Sequence, residues 1–177
     1  MVKNKVHRLV LTAMFLAIGL VLPSITGQIR EIGNMLLPMH LPVFLCAYIC
    51  GWQYAAYIGA ILPLMRCLIF GMPKLYPNAV AMSVELLSYG LICGVIFLAF
   101  KKKNAISVYA SLIGAMIGGR IIWSCLSAVL YSLLGAPKTL EFFFARGVVE
   151  AVPGIILQLV LIPAIVLVLQ KVLKEKN

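Results

Sequence analysis

Long apolar runs decide what this chain can fold into. From Leu9 to Leu173 they follow one another, and no polar stretch between them exceeds about a dozen residues, too short for a separate soluble domain. An apolar run of roughly 20 residues is what crosses a bilayer core as a helix. Only 11% of the 177 residues are charged and 63% are hydrophobic, whereas a soluble domain carries about 25% charged residues. An ordinary soluble protein is excluded. The expectation is one domain, residues 1–177, folded as an all-α integral membrane bundle.

The runs predict six transmembrane helices: His7–Pro23, Met35–Cys50, a third that leaves a tight turn at Gly51 and Trp52 and continues to Phe70, then Asn78–Phe100, Ala105–Leu134 and Phe142–Leu173. Ser24–Asn34, with Arg30 and Glu31, reads as a polar loop. Gly71-Met72-Pro73-Lys74-Leu75-Tyr76-Pro77 cannot continue a helix, because two prolines and a glycine interrupt it. Asn78 follows as a cap or ligand group. The fifth run, at about 30 residues, is longer than a crossing needs and must tilt or protrude. Pro153 and Pro163 are expected to kink the sixth.

The formal net charge of +10 follows topology rather than nucleic-acid binding, since the basic residues flank apolar runs instead of forming one surface. Lys3, Lys5 and Arg8, then Lys101, Lys102 and Lys103, then Lys171, Lys174 and Lys176 fall on one side of six spans. The positive-inside rule makes that side cytoplasmic, with both termini on it. Arg30, Lys74 and Lys138 fall on the other side, with Arg146 near it. The first run imitates a signal peptide, yet it leads into further spans and reads as the first helix of a multi-pass cell-membrane protein.

All five cysteines, Cys46, Cys50, Cys67, Cys93 and Cys125, lie in apolar runs and read as packing residues. No metal set is completed around them, and neither metal nor cofactor is expected. Ala13-x-x-x-Ala17, Ala55-x-x-x-Gly59, Gly90-x-x-x-Gly94 and Gly114-x-x-x-Gly118 each put two small residues on one helix face, where another backbone can approach.

Four ionisable side chains interrupt this apolar background. Arg66, Glu85, Arg120 and Glu150 lie in four different runs, and a charge within a span marks a functional site by default. At about 1.5 Å of rise per residue, Arg66 lies about 7–8 Å inward of Gly71, Glu85 about 10 Å inward of Asn78 and Glu150 about 12 Å inward of Phe142. Arg120 lies about 22 Å above Ala105, in the outer half of a core about 30 Å thick. The levels agree, and the inner half has little beyond Gln158. Helical spacing adds Asn78, Met82 and Tyr89 to the face of Glu85, and Met116, Trp123 or Ser124, and Ser127 to that of Arg120. Aromatic walls with a few fixed polar groups suit a small-molecule pocket. The candidate binding residues are Arg66, Asn78, Glu85, Tyr89, Arg120, Trp123 and Glu150. The competing reading is structural ion pairing, Arg66 with Glu85, Arg120 with Glu150, or Arg146 with Glu150. His40 reads as a packed or loop-bonded histidine.

Catalysis finds no support. The sequence has neither a phosphate-binding glycine loop ending in Gly-Lys-Ser/Thr nor a His-Glu-x-x-His motif, so an enzyme is not expected.

Taken together, the size, the six runs, Ala13-x-x-x-Ala17, the segment Leu37-Pro38-Met39-His40-Leu41-Pro42, the Gly71–Pro77 segment and Glu85 resemble the substrate-binding S-components of energy-coupling factor (ECF) vitamin transporters. The resemblance implies that Ala13 and Ala17 dock on a transmembrane coupling subunit bound to two cytoplasmic ATPases. It also implies that the outer loops and the outer parts of the fourth to sixth helices hold a vitamin or precursor of the pantothenate, pyridoxine or hydroxymethylpyrimidine class. ATP hydrolysis by the partners would topple the subunit in the bilayer and release its cargo inside. The other readings are a secondary carrier driven by protons through Glu85 or Glu150, and a structural membrane subunit.

Overall fold

The computed structural model describes residues 4–26, 37–135 and 138–175. Lys3, Arg30, Glu31, Met35 and Lys176 lie outside the described residues, as do the side chains of Arg146 and Lys174. The described residues are helical with no strand: α1 (Lys5–Thr26), α2 (His40–Ile49), α3 (Trp52–Phe70), α4 (Val80–Ala99), α5 (Ala105–Leu133), a short α6 (Leu140–Phe144) and α7 (Val152–Glu175). Five of them, α1, α3, α4 with its lead-in turn, α5 and α7, are long and apolar enough to cross a membrane.

α2 differs from the expected second span. Its ten residues rise about 15 Å, half of a bilayer core of about 30 Å. It is apolar on every side, and His40 and each residue from Pro42 to Tyr48 are buried, as a helix without a polar face must be. Leu41 packs on the same core from a partly buried position. The turn into α3 falls where expected: Gly51 adopts φ 107°, a conformation that a side chain would oppose.

α3 and α4 form the tightest pair, and the small-residue motifs explain it. A Cβ added at Gly90 would lie 2.6 Å from the Ala55 carbonyl carbon, and one added at Gly59 or Gly94 would overlap the Leu86 backbone or Trp52. The two helices therefore run antiparallel with Ala55 on Gly90, Gly59 on Leu86 and Gly94 on Trp52, the small-residue pairs being offset by one turn. Gly114 and Gly118 meet only the tips of Ile96 and Ile92 on α4. α1 lies on α2 and α3, with Gly19 against Leu62 and Pro42, and α7 packs on α2 and α5.

Polar contacts tie the bundle at both ends. At the end carrying the Gly51 turn, the Tyr48 hydroxyl donates to the Val108 carbonyl at 2.9 Å and meets Ser111 Oγ at 2.9 Å. Asn104 and Ser107 form a reciprocal capping box, 3.1 Å each way, that starts α5. Lys103 donates to the carbonyls of Phe97, Leu98 and Phe100 at the close of α4, with its ammonium 4.5 Å from the Phe97 ring, a cation on the negative end of the helix dipole. Burial there holds its ammonium below the ordinary lysine range.

At the opposite end Gly71, at φ 70°, closes α3, and the chain re-enters α4 through a wide turn, Leu75–Ala79, in which Tyr76 is extended. Asn78 is part of that turn and caps nothing. Its Oδ1 accepts from the Tyr131 hydroxyl at 3.0 Å, and Tyr76 donates to the Leu130 carbonyl at 3.4 Å. The far end of α5 thus reaches past α4 and pins the loop, which accounts for its extra length. α1 runs three residues beyond Pro23, to Thr26. The run predicted as a continuous sixth helix is broken: α6 passes into a wide turn, Ala145–Val149, and α7 begins at Val152.

Candidate functional site

Glu85 sits at the centre of a charged cluster built by three helices. The i, i+4 spacing on α4 lets the Tyr89 hydroxyl donate to Glu85 Oε1 at 2.9 Å. Arg120 Nη1, from α5, reaches the same oxygen at 2.8 Å. His40 Nε2, from the first turn of α2, lies 3.7 Å from it. The Tyr89 ring is tilted between those of His40 and Phe44, with centroids 5.1 and 5.2 Å away, and Gly119 leaves the space that ring occupies. Glu85, His40 and Tyr89 are each 2% exposed.

A buried carboxylate needs its charge balanced, and Arg120 supplies this with a charge-assisted hydrogen bond. The rest of the guanidinium is committed less fully. Its carbon stands 5.7 Å from the Trp123 ring, and Trp123 in turn meets Phe143 edge-on at 6.1 Å. Arg120 Nη2 is buried and, among the described residues, has no hydrogen-bond partner; both ring nitrogens of His40 and Nε2 of Gln158 are in the same condition. An unsatisfied buried donor costs about 1–3 kcal/mol, so two of them in one cluster mark a place where a polar guest gains energy.

Of the residues singled out in the sequence, Glu85, Tyr89, Arg120 and Trp123 come together. Asn78 lies in the turn that leads into the same helix. Arg66 is engaged elsewhere: Nη1 donates to the Leu20 carbonyl at 2.6 Å and to Ser24 Oγ at 3.3 Å, and the guanidinium lies 5.0 Å from the Phe70 ring. It fastens the end of α1 to α3. Glu85 pairs with Arg120, a combination that none of the three expected structural pairings contained. Glu150 is exposed, at the break before α7, so its depth cannot be counted along a continuous helix from Phe142. His40 is packed, as expected, and its place beside Glu85 is the contact that sequence reasoning missed; it is the one buried histidine, at the loop end of its helix.

At the edge of the bundle, Ala13 and Ala17 on α1 are exposed, and so are Val10, Met14, Ile18 and Val21 around them.

Apolar helices of spanning length, closed around a buried ion pair with open donors, define a multi-pass membrane protein with a polar internal site. The family comparison makes this specific. Residues 7–166 match the family model described as "ECF transporter, substrate-specific component", and the chain belongs to that family. Membership makes it a transport protein and implies both a substrate and an ECF module as partner. Neither the curated proteins nor the solved structures compared with it gave a match.

Proposed function

We propose that this protein crosses the membrane six times with both termini in the cytoplasm, and captures a vitamin or vitamin precursor from outside at the Glu85–Arg120 cluster. The pantothenate, pyridoxine and hydroxymethylpyrimidine classes are the candidates. Arg120 and His40 offer open donors or acceptors, Trp123 and Tyr89 supply aromatic walls, Asn78 stands at the entrance turn, and Glu150 contributes from the exposed break before α7. Arg66 supports this site by holding α1.

The observation that carries the reading is the guanidinium of Arg120, whose Nη1 holds Glu85 while its buried Nη2 has no partner among the described residues. Delivery inward falls to a coupling subunit and two ATPases. The exposure of Ala13 and Ala17 supports docking on α1, because a small-residue face left open on the least buried of the spanning helices allows close approach by another helix.

Mass spectrometry of small molecules released from the detergent-purified protein tests the ligand, and ATP-dependent uptake in vesicles with the ECF module tests the transport. Glu85→Gln combined with Arg120→Met, which removes the open donor without stranding a charge, should abolish ligand retention while leaving a folded protein, and Ala13→Trp or Ala17→Trp should abolish uptake while leaving retention intact. Uptake that needs a proton gradient but no ATP would instead establish a secondary carrier.

A further inference from the structure

Charge accounting within the Glu85 cluster narrows the substrate class. Glu85 carries one negative charge and Arg120 one positive, joined at 2.8 Å, so with His40 uncharged the cluster is neutral. Arg120 Nη2 nevertheless remains buried with no acceptor among the described residues. The group that satisfies a guanidinium edge best is an anionic oxygen, in particular a carboxylate, which binds about twice as strongly as a neutral acceptor. A carboxylate entering here would leave the buried site with one uncompensated negative charge, which an apolar surrounding penalises.

His40 is placed to remove that charge. Its Nε2 lies 3.7 Å from Glu85 Oε1, both ring nitrogens lack hydrogen-bond partners among the described residues, and imidazole is the side chain that gains a proton between about pH 5 and 8. Among the described residues, the charged and titratable groups around it are Glu85 and Tyr89 on α4, with Arg120 on α5 behind Glu85. The nearest of these, Glu85, is an anion that a protonated ring would pair with directly.

We propose that the substrate is a small molecule bearing a carboxylate, that Arg120 Nη2 receives this group, and that binding takes up one proton from water on His40. The protonated imidazole then shares Glu85 with Arg120. The occupied site holds two cations, Arg120 and His40, and two anions, Glu85 and the ligand, and is again neutral. This rests on the substrate-binding reading above and narrows it to an anionic cargo.

The test begins with the full chain purified in detergent and its retained small molecule identified after denaturation. A carboxylate-bearing compound is expected. A neutral or cationic compound overturns this inference and leaves the binding role standing; release of no compound overturns both.

The identified compound is then titrated into the emptied protein. One linked proton permits at most about tenfold per pH unit, so wild type should bind more tightly at about pH 5.5 than at about pH 7.5, by up to about a hundredfold. His40→Gln should reduce that ratio to under about twofold. Calorimetry of wild type in two buffers of different ionisation enthalpy near neutral pH should show net proton uptake on binding, and this readout does not depend on the variant folding. Affinity that is flat with pH, or an absence of proton uptake, would overturn the role of His40.

Discussion

Gly90→Ala is the sharpest probe of how the site is held. The added methyl carbon would stand 2.6 Å from the Ala55 carbonyl carbon, 2.8 Å from its oxygen and 2.9 Å from the Ala56 nitrogen. Carbon atoms in contact settle at about 3.5–4.0 Å, so the shortfall is about 1 Å, and it is against backbone rather than a movable side-chain tip. α4 must back away from α3, which loosens the packing of Gly59 on Leu86 and of Gly94 on Trp52 along the same seam. Overpacking of this kind costs about 1–3 kcal/mol, offset by up to about 1 kcal/mol of improved helix propensity. The control is Gly118→Ala, whose methyl group would be crowded by the Cδ1 of Ile92, at 2.8 Å, with that residue's Cγ atoms at 4.0 Å. Ile92 can turn aside, and the propensity gain should leave this variant neutral or slightly stabilised. Denaturant unfolding in mixed micelles, followed by tryptophan fluorescence, measures both. α4 also carries Glu85 and Tyr89, so Gly90→Ala should weaken ligand retention as well. Equal stability of the two variants would refute the backbone-contact reasoning.

Three further outcomes are expected. Glu85→Ala should destabilise by about 3–5 kcal/mol, because it strands the Arg120 charge in an apolar interior; Glu85→Gln combined with Arg120→Met should be more stable than Glu85→Ala in the same unfolding assay. Tyr48→Phe deletes the hydrogen bonds to Val108 and Ser111 and should cost about 1–2 kcal/mol without changing ligand retention. Lys103→Ala removes the cation that closes α4 and should cost about 0.5–1 kcal/mol, with faster amide exchange confined to the last turn of α4.

Helix identity could be read along the chain because an apolar run needs only its own hydrogen bonds to become a helix. α3, α4 and α5 appear within a few residues of their expected bounds. The misjudged places are those where the neighbourhood decides. Pro23 does not end α1, the run expected to be continuous from Phe142 is interrupted ahead of Val152, and the second run holds a ten-residue helix among its described residues. The level shared by Glu85 and Arg120 could be counted from the rise per residue, and the small-residue spacing of Ala55, Gly59, Gly90 and Gly94 announced a close helix pair. Lys103, read only as a topology signal, turned out to cap a helix.

The chain by itself determined that this is a helical membrane protein with a few costly charges inside its apolar runs, because composition is a local property. Which charges meet was decided only in three dimensions. Residue spacing along one helix says nothing of how its neighbour is rotated about its own axis, and that rotation, fixed by packing between helices rather than along one, gave Glu85 to Arg120 and His40 and gave Arg66 to α1.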